Sequence, residues 1–137
     1  MTGPRGADWT WWPTVDEIAA DVRRWLAADD PDMALRMLVD GVNLLADAHR
    51  QGRLDEAVGE PASCDDVRWD TLLAAAVRYR MHTLGVRPPR WTAKPPLERF
   101  WWPTKLSASQ QYSDLAHAPA ELMRVGIFVD EREFEAA

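Results

Sequence analysis

Three stretches of the chain repeat apolar positions at the spacing of a helix face. In the first, Val15, Ile18, Val22 and Trp25 come after Thr14 and Glu17. The T-x-x-E order is a capping box, and with Pro13 just before it the pattern predicts a helix over residues 15–28. The second stretch reads "DDPDMALRMLVDGVNLLADAHRQG". Asp30 can cap it, Pro31 takes the first helical position, and acids load the first turn. Leu35, Leu38, Val39, Val42, Leu45 and Ala46 form one face, which Met33, Met37 and Leu44 widen. So broad an arc implies packing on more than one side. Gly52 marks the end. Gly41, in the middle, costs about 1 kcal/mol against Ala, so it implies a neighbour that approaches closely there. In the third stretch Asp65 or Asp66 opens a helix, Trp69, Leu72, Leu73, Ala76, Val77 and Leu84 keep the period, and Gly85 ends it.

The remaining segments carry weaker patterns. "LDEAVGEPAS" is a connector with room for one helical turn. "RPPRWTAKPPLERFWWP" holds five prolines in seventeen residues, which rules out a helix or a central strand. It reads as an extended belt, over residues 86–104, whose Trp and Leu side chains dock on the helices. "KLSASQQYSDLAHA" is weakly helical. "PAELMRVG" is a short helix started by Pro and ended by Gly, "IFV" is a short strand or extended segment, and Asp130 with Glu133 forms a second capping box before a last helical turn. The expected fold is mainly α: a flexible residues 1–10, then a single domain over 11–137 of three to five helices, with the proline-rich belt and a short C-terminal extended segment.

Composition changes this picture in three ways. At 137 residues with 47% hydrophobic positions, the chain can bury a core without a disulfide or metal staple. The single cysteine, Cys64, has no internal partner, and no signal peptide or membrane span is evident, so a cytoplasmic protein is expected. Net charge is −6, from 22 acidic and 16 basic residues. An acidic chain repels a phosphate backbone, and the basic stretches "VRYRMH" and "GVRPPR" are thin, so this chain alone is expected to bind nucleic acid poorly. A protein partner with a basic surface suits it better.

No stretch spells out a reaction. His49, His82 and His117 have no second His or Cys at metal-ligand spacing, so neither a metal nor another cofactor is implied. His49 suits the negative pole of a helix end, and His82 reads as solvated. Cys64 stands beside Asp65 and Asp66, which raise its pKa rather than activate it. Asp66 and Asp70, four apart at a helix start, favour the helix dipole. There is no G-x-G, G-K-[ST] or G-x-S-x-G, and no catalytic residue is assigned.

The chain does hold 8 Trp, more than Phe and Tyr together, and it spells Trp-Trp-Pro-Thr twice, at 11–14 and 101–104. The residues after the two copies do not align, so they are one local device used twice: aromatic anchors, then a proline that fixes chain direction. The first copy feeds a strong capped helix and is needed for its entry. The second comes after the belt, where little local structure demands two indoles, and Trp is enriched as an interface anchor.

Three segments, "WWPTVDEIAADVRRWLAADDPDMALRMLVDGVN", "RWDTLLAAAV" and "PAELMRVGIFVDEREFEAA", together resemble a group of small actinobacterial antitoxin-type proteins. In that group a GDxxxALR-type helix start is followed by RWDALLAA and by a P-x-x-x-R-x-G-I-F ending. Its members are often encoded beside a predicted nucleotidyltransferase toxin or carried behind a helix-turn-helix domain. No such DNA-binding unit reads ahead of Trp11 in this sequence, so direct operator binding by this chain is not expected. The resemblance implies a non-enzymatic antitoxin that neutralises its toxin by protein–protein contact. Trp91, Phe100, Trp101, Trp102, Phe128, Asp130 and Glu131 are the residues expected to meet that partner. The alternative is a regulatory or small-molecule-sensing helical domain whose indoles line a pocket.

Overall fold

The computed structural model describes residues 11–104 and 107–135. The N-terminal segment 1–10, expected to be flexible, lies outside the described residues, as do Lys105 and Leu106 of the weakly helical stretch. Six helices are present among the described residues: α1 (Val15–Ala27), α2 (Pro31–Arg50), α3 (Leu54–Ala57), α4 (Val67–Thr83), α5 (Ala108–His117) and α6 (Ala120–Met123). The fold is mainly helical, with six helices rather than three to five because α3 and α6, each a single turn, are counted with the longer ones. None of these is long and apolar enough to cross a membrane.

Each long helix of the core starts where a side chain replaces the missing acceptor of its first turn. Thr14 accepts the Glu17 N–H at 3.1 Å while Glu17 accepts the Thr14 N–H at 2.9 Å, the full capping box. Asp30 accepts from Met33 N–H and Pro31 sits at the first position of α2. Of the two candidates for α4, Asp66 is the cap, bonded to Arg68 N–H at 2.9 Å, and Asp65 precedes it in the left-handed conformation. Gly52, Gly85 and Gly126 all have positive φ and close the chain after α2, α4 and α6.

α1 and α2 form a hairpin, and Gly41 sets how tightly it closes. A Cβ at Gly41 would lie 2.6 Å from Ile18 Cγ1 and 2.8 Å from its Cδ1. Ile18 therefore occupies the space that any other residue would fill. α4 crosses behind this pair. Its residues Thr71 to Val77 are buried without interruption, so no side of that stretch faces water. The core joins Val15, Val22, Leu38, Leu45, Leu72 and Val77 to Leu122, Ile127 and Phe134 from the end of the chain.

The belt behaves as expected in outline. Trp91, Leu97 and Trp101 pack against the core. It is not wholly extended: Arg90–Thr92 makes a 3-10 turn, which Pro89 can start because a proline before the first turn costs no hydrogen bond. The belt meets the "IFV" segment as extended chain. Trp101 N–H donates to Gly126 O at 2.9 Å and Phe128 N–H to Trp101 O at 3.1 Å, pairing Trp101 with Ile127 in one parallel bridge. The C-terminal turn, Glu131–Phe134, is 3-10 rather than α-helical. The expected Asp130–Glu133 box changes accordingly: Asp130 Oδ1 takes the nearer Arg132 N–H at 2.9 Å, and Glu133 N–H reaches the Asp130 carbonyl at 3.0 Å.

Gly41→Ala should destabilise the protein by about 1–3 kcal/mol, because overpacking outweighs the helix propensity gained. The cost should be smaller in an Ile18→Ala background, where the clashing atoms are gone. Urea unfolding of the two singles and the double closes this cycle. Equal costs in both backgrounds would rule out the Ile18 contact as the constraint.

Candidate functional site

The second Trp-Trp-Pro-Thr, the start of α4 and the turn between α1 and α2 meet at one end of the bundle. Two side chains of α1 and one of α4 hold the loop before α4 in place. Asp16 accepts Ala62 N–H at 2.9 Å, Arg23 donates to Ser63 O at 2.8 Å, and Asp70 accepts both Ser63 Oγ–H and Cys64 N–H at 2.6 Å. Asp70 is thus a loop anchor, a role beyond the helix-dipole one its spacing suggested. Cys64 is buried, and its thiol is pushed up from an ordinary 9.0 to about 12. Burial is the main cause and the Asp70 carboxylate the next, with Asp65 contributing least. The sequence neighbourhood pointed the right way, but Asp70, brought in by the fold, matters more.

Arg68 and Trp101 form a ridge at this end. The Arg68 guanidinium lies 5.0 Å from the Trp101 ring centroid and is paired with Asp66, Nε to Oδ1 at 3.3 Å and a terminal nitrogen to Oδ2 at 3.2 Å. Burial pushes the Asp66 carboxyl up, but the Arg68 hydrogen bonds and charge outweigh it and hold it below the usual range. Trp101 also packs on buried Trp69 in a T-shaped pair, centroids 5.4 Å apart.

A cleft opens on each side of the ridge. One, of about 590 Å³, is lined by Trp69, Trp101 and Trp102 together with Asp29, Asp65 and Arg23. The other, of about 710 Å³, runs along the belt between Val67 and Phe100, with Pro95, Pro96 and Leu97 in its wall. Val67 is 72% exposed and Phe100 71%, the two apolar side chains this groove presents most openly. Beyond Pro103 and Thr104 a third cleft, of about 550 Å³, carries Asp32, Asp40 and Glu133 against a single Arg36, with Asp114 buried in its wall. Burial raises the Asp114 pKa, whereas hydrogen bonds from Arg132 lower that of Asp130.

The sequence-selected residues divide unevenly over this surface. Phe100 and Glu131 are exposed. Trp91 is half-buried and its indole N–H donates to Val58 O at 2.8 Å, so it fastens the belt to the loop after α3. Trp101 and Trp102 are both half-buried; Trp102 donates to Gln111 O at 3.2 Å and leans on Phe128 at 5.1 Å. Two of the expected contact residues are inside. Phe128 and Asp130 are each only 3% exposed, because the extended segment carrying them is covered by the belt and by α5, and Asp130 is occupied by Arg132 and by Ser113 at 3.5 Å. In the first tetrapeptide Trp12 is buried and Trp11 is 56% exposed, so the most open of the four indoles lies in the copy expected to be structural.

Sequence reasoning passed over Val67, which precedes the "RWD" motif, and gave no role to Arg68, its first residue, because neither breaks a rule of helix composition. The basic stretches, by contrast, turn partly inward. Arg78 donates to Thr92 Oγ1 at 3.2 Å, and Arg80 reaches Asn43 Oδ1 and the Phe134 carbonyl, while Arg87 and Arg90 remain at the surface. His82, expected to be solvated, is exposed but partnered: its Nδ1 is 2.5 Å from Glu121 Oε2, tying α4 to α6. No group of three or more His, Cys, Asp or Glu able to hold a metal ion occurs among the described residues. Comparison of the chain with protein-family models, with curated proteins and with solved structures found no match.

Trp12→Ala should cost about 3–5 kcal/mol as a buried large-to-small change. Trp102→Ala should cost about 1–3 kcal/mol, since part of its ring and one hydrogen bond are committed to α5 and the C-terminal segment. Urea denaturation checks both, and a Trp102→Ala protein as stable as wild type would show that the indole is not seated. Cys64 makes stability depend on pH in the alkaline range. A thiol whose pKa is raised on folding gives stability that is complete below about 9 and lost as pH climbs toward 12. The difference in melting temperature between wild type and Cys64→Ala should therefore narrow as pH rises from about 8.5 to about 10.5. A difference independent of pH would contradict the raised thiol.

Proposed function

We propose that this chain is a non-enzymatic binding protein of antitoxin type, which neutralises a cognate protein toxin, possessing a basic surface, by covering it. The observation that carries the reading is the groove between Val67 and Phe100. Two large apolar side chains more than two-thirds exposed, with Leu97, two prolines and half-buried Trp101 beside them, form a patch that solvent does not favour and that a partner can cover. Its wall is stiff: the prolines fix the belt, and Trp101 is tied by two backbone hydrogen bonds, so little entropy is lost on docking. The acidic third cleft and the net charge of −6 supply the long-range attraction toward a basic toxin, nucleotidyltransferase or other. An antitoxin of this kind works in the cytoplasm, where an unpaired Cys64 stays reduced.

A second reading has its own support. Three indoles line the 590 Å³ cleft, which falls within the size range of small-molecule sites, about 300–1,000 Å³. A regulatory domain that senses a small ligand there is the alternative function.

Co-expression with the product of each adjacent gene tests the first reading. The cognate toxin should arrest growth alone and be silenced by this chain, with which it should co-purify. A Val67→Asp, Phe100→Asp double variant should keep its melting temperature yet lose more than about thirtyfold in affinity, the scale of a hot spot. If no neighbouring product is toxic, the antitoxin reading fails. If the double variant binds as tightly as wild type, the groove is not the docking face.

A further inference from the structure

We propose that the cleft lined by Trp69, Trp101 and Trp102 is a receptor for an organic cation, a guanidinium or ammonium group; this deepens the antitoxin reading, and rests on it, insofar as the cation is an arginine or lysine side chain of the toxin. Both arginines in the cleft wall are already committed: Arg23 donates to the Ser63 carbonyl at 2.8 Å, and Arg68 is paired with Asp66. Asp29 and Asp65 also line the cleft, both are exposed, and neither carboxylate takes a hydrogen bond or ion pair among the described residues. The charge that remains available there is negative, and the apolar wall around it includes three indoles beside Leu26, Pro31 and Pro103.

That combination is what a cation on an aromatic face requires. The chain demonstrates the chemistry on itself. Arg68 stands 5.0 Å from the centre of the Trp101 ring while its guanidinium is held by the Asp66 carboxylate. One indole–carboxylate pair is thus filled by the chain's own arginine, and the same cleft holds Trp102 with Asp29 and Asp65 unfilled. An anionic ligand would meet two free carboxylates, and a neutral aromatic one would leave them unused. Asp29 and Asp65 are also the two non-glycine residues with positive φ among the described residues, at φ 58° and 66°. One sits in the α1–α2 turn and the other just before the α4 cap, and both line this cleft.

The test uses the isolated full-length protein labelled with ¹⁵N and monitors the indole N–H signals of Trp101 and Trp102. N-acetyl-arginine methylamide should shift them saturably, at millimolar concentration, whereas the neutral isostere N-acetyl-citrulline methylamide should not. The Asp29→Asn, Asp65→Asn double variant should weaken arginine binding by about tenfold, the effect expected of removing two solvent-exposed charges. Asn tolerates positive φ as Asp does, so the variant should keep the wild-type melting temperature. Spermidine separates the sources of the cation. Binding at least a hundredfold tighter than blocked arginine supports the cation receptor and assigns it to a free polyamine. Binding no tighter supports it and assigns it to a side chain of the partner. Equal shifts with citrulline, no saturable shift with any probe, or an Asn variant that binds like wild type would overturn the proposal. The titration needs no toxin, so its failure and a failure to neutralise a neighbouring gene product are told apart.

Discussion

The stretch of α4 from Thr71 to Val77 has no side that faces water, and most of the architecture results from the need to cover it. A helix with one apolar stripe can lie on a sheet or a second helix and leave its other face wet. Leu72, Leu73, the three alanines and Val77 leave no such face. The α1–α2 hairpin covers one side only. The rest must come from the remaining chain, and a proline-rich segment is suited to the task. Its prolines leave fewer N–H groups to satisfy and keep it from forming a long helix, and it presents Trp91, Leu97 and Trp101 to the core along its path. α6 and the extended segment Ile127 to Val129 close what the belt leaves open, with Leu122 and Ile127 fully buried.

This arrangement explains why the second Trp-Trp-Pro-Thr is neither pure core nor free surface. Trp101 meets buried Trp69, receives exposed Arg68, and is hydrogen-bonded by its backbone to the segment after α6. A cover made of separate pieces has seams. The cleft beside Trp102 lies at the seam between the belt and the α1–α2 turn, and the groove beside Phe100 lies at the seam between the belt and the first turn of α4. The concave features of the molecule are therefore consequences of how α4 is enclosed. Their walls combine residues that pack inward, such as Trp69 and Trp101, with side chains left open at the seam, such as Val67 and Phe100.

The helices were legible in the sequence because their signals are local. Thr14 with Glu17, Asp30 with Pro31, and the positive-φ glycines each act within four residues, and the structure uses them as their spacing dictates. Gly41 was legible for a different reason: a costly residue in a strong helix requires a compensating neighbour, and Ile18 is that neighbour. The last turn was less legible, because α and 3-10 geometries begin with the same acidic cap and differ only in which N–H it reaches. The site was legible only in part. Trp and Phe signal burial and binding alike, so the exposed Phe100 and the buried Phe128 could not be separated by type. Asp130 reads in sequence as the cap of the last turn; Arg132, two residues on, pairs with it locally, and only the fold brings Ser113 beside it and buries it. Val67, which looks like an ordinary helical residue, becomes notable only once the belt is seen to stop short of it.

Charge is distributed over this cover in a way that the total of −6 conceals. The arginines of the central helix face inward or along its flank: Arg80 reaches two carbonyl-type acceptors between α2 and the C-terminal turn, Arg78 reaches Thr92, and Arg68 lies on Trp101. Each uses a planar, strongly hydrogen-bonding cation to fasten one piece of the cover to α4, a task that lysine's point charge performs less well. The acids are left toward the outside, at Asp29, Asp65, Asp32, Asp40 and Glu133, around two of the three clefts. Three arginines of α4 are thus spent on holding the cover, and Asp29 and Asp65 remain unpaired among the described residues in the cleft beside Trp102, where the chain's own guanidinium–indole–carboxylate contact stands next to them.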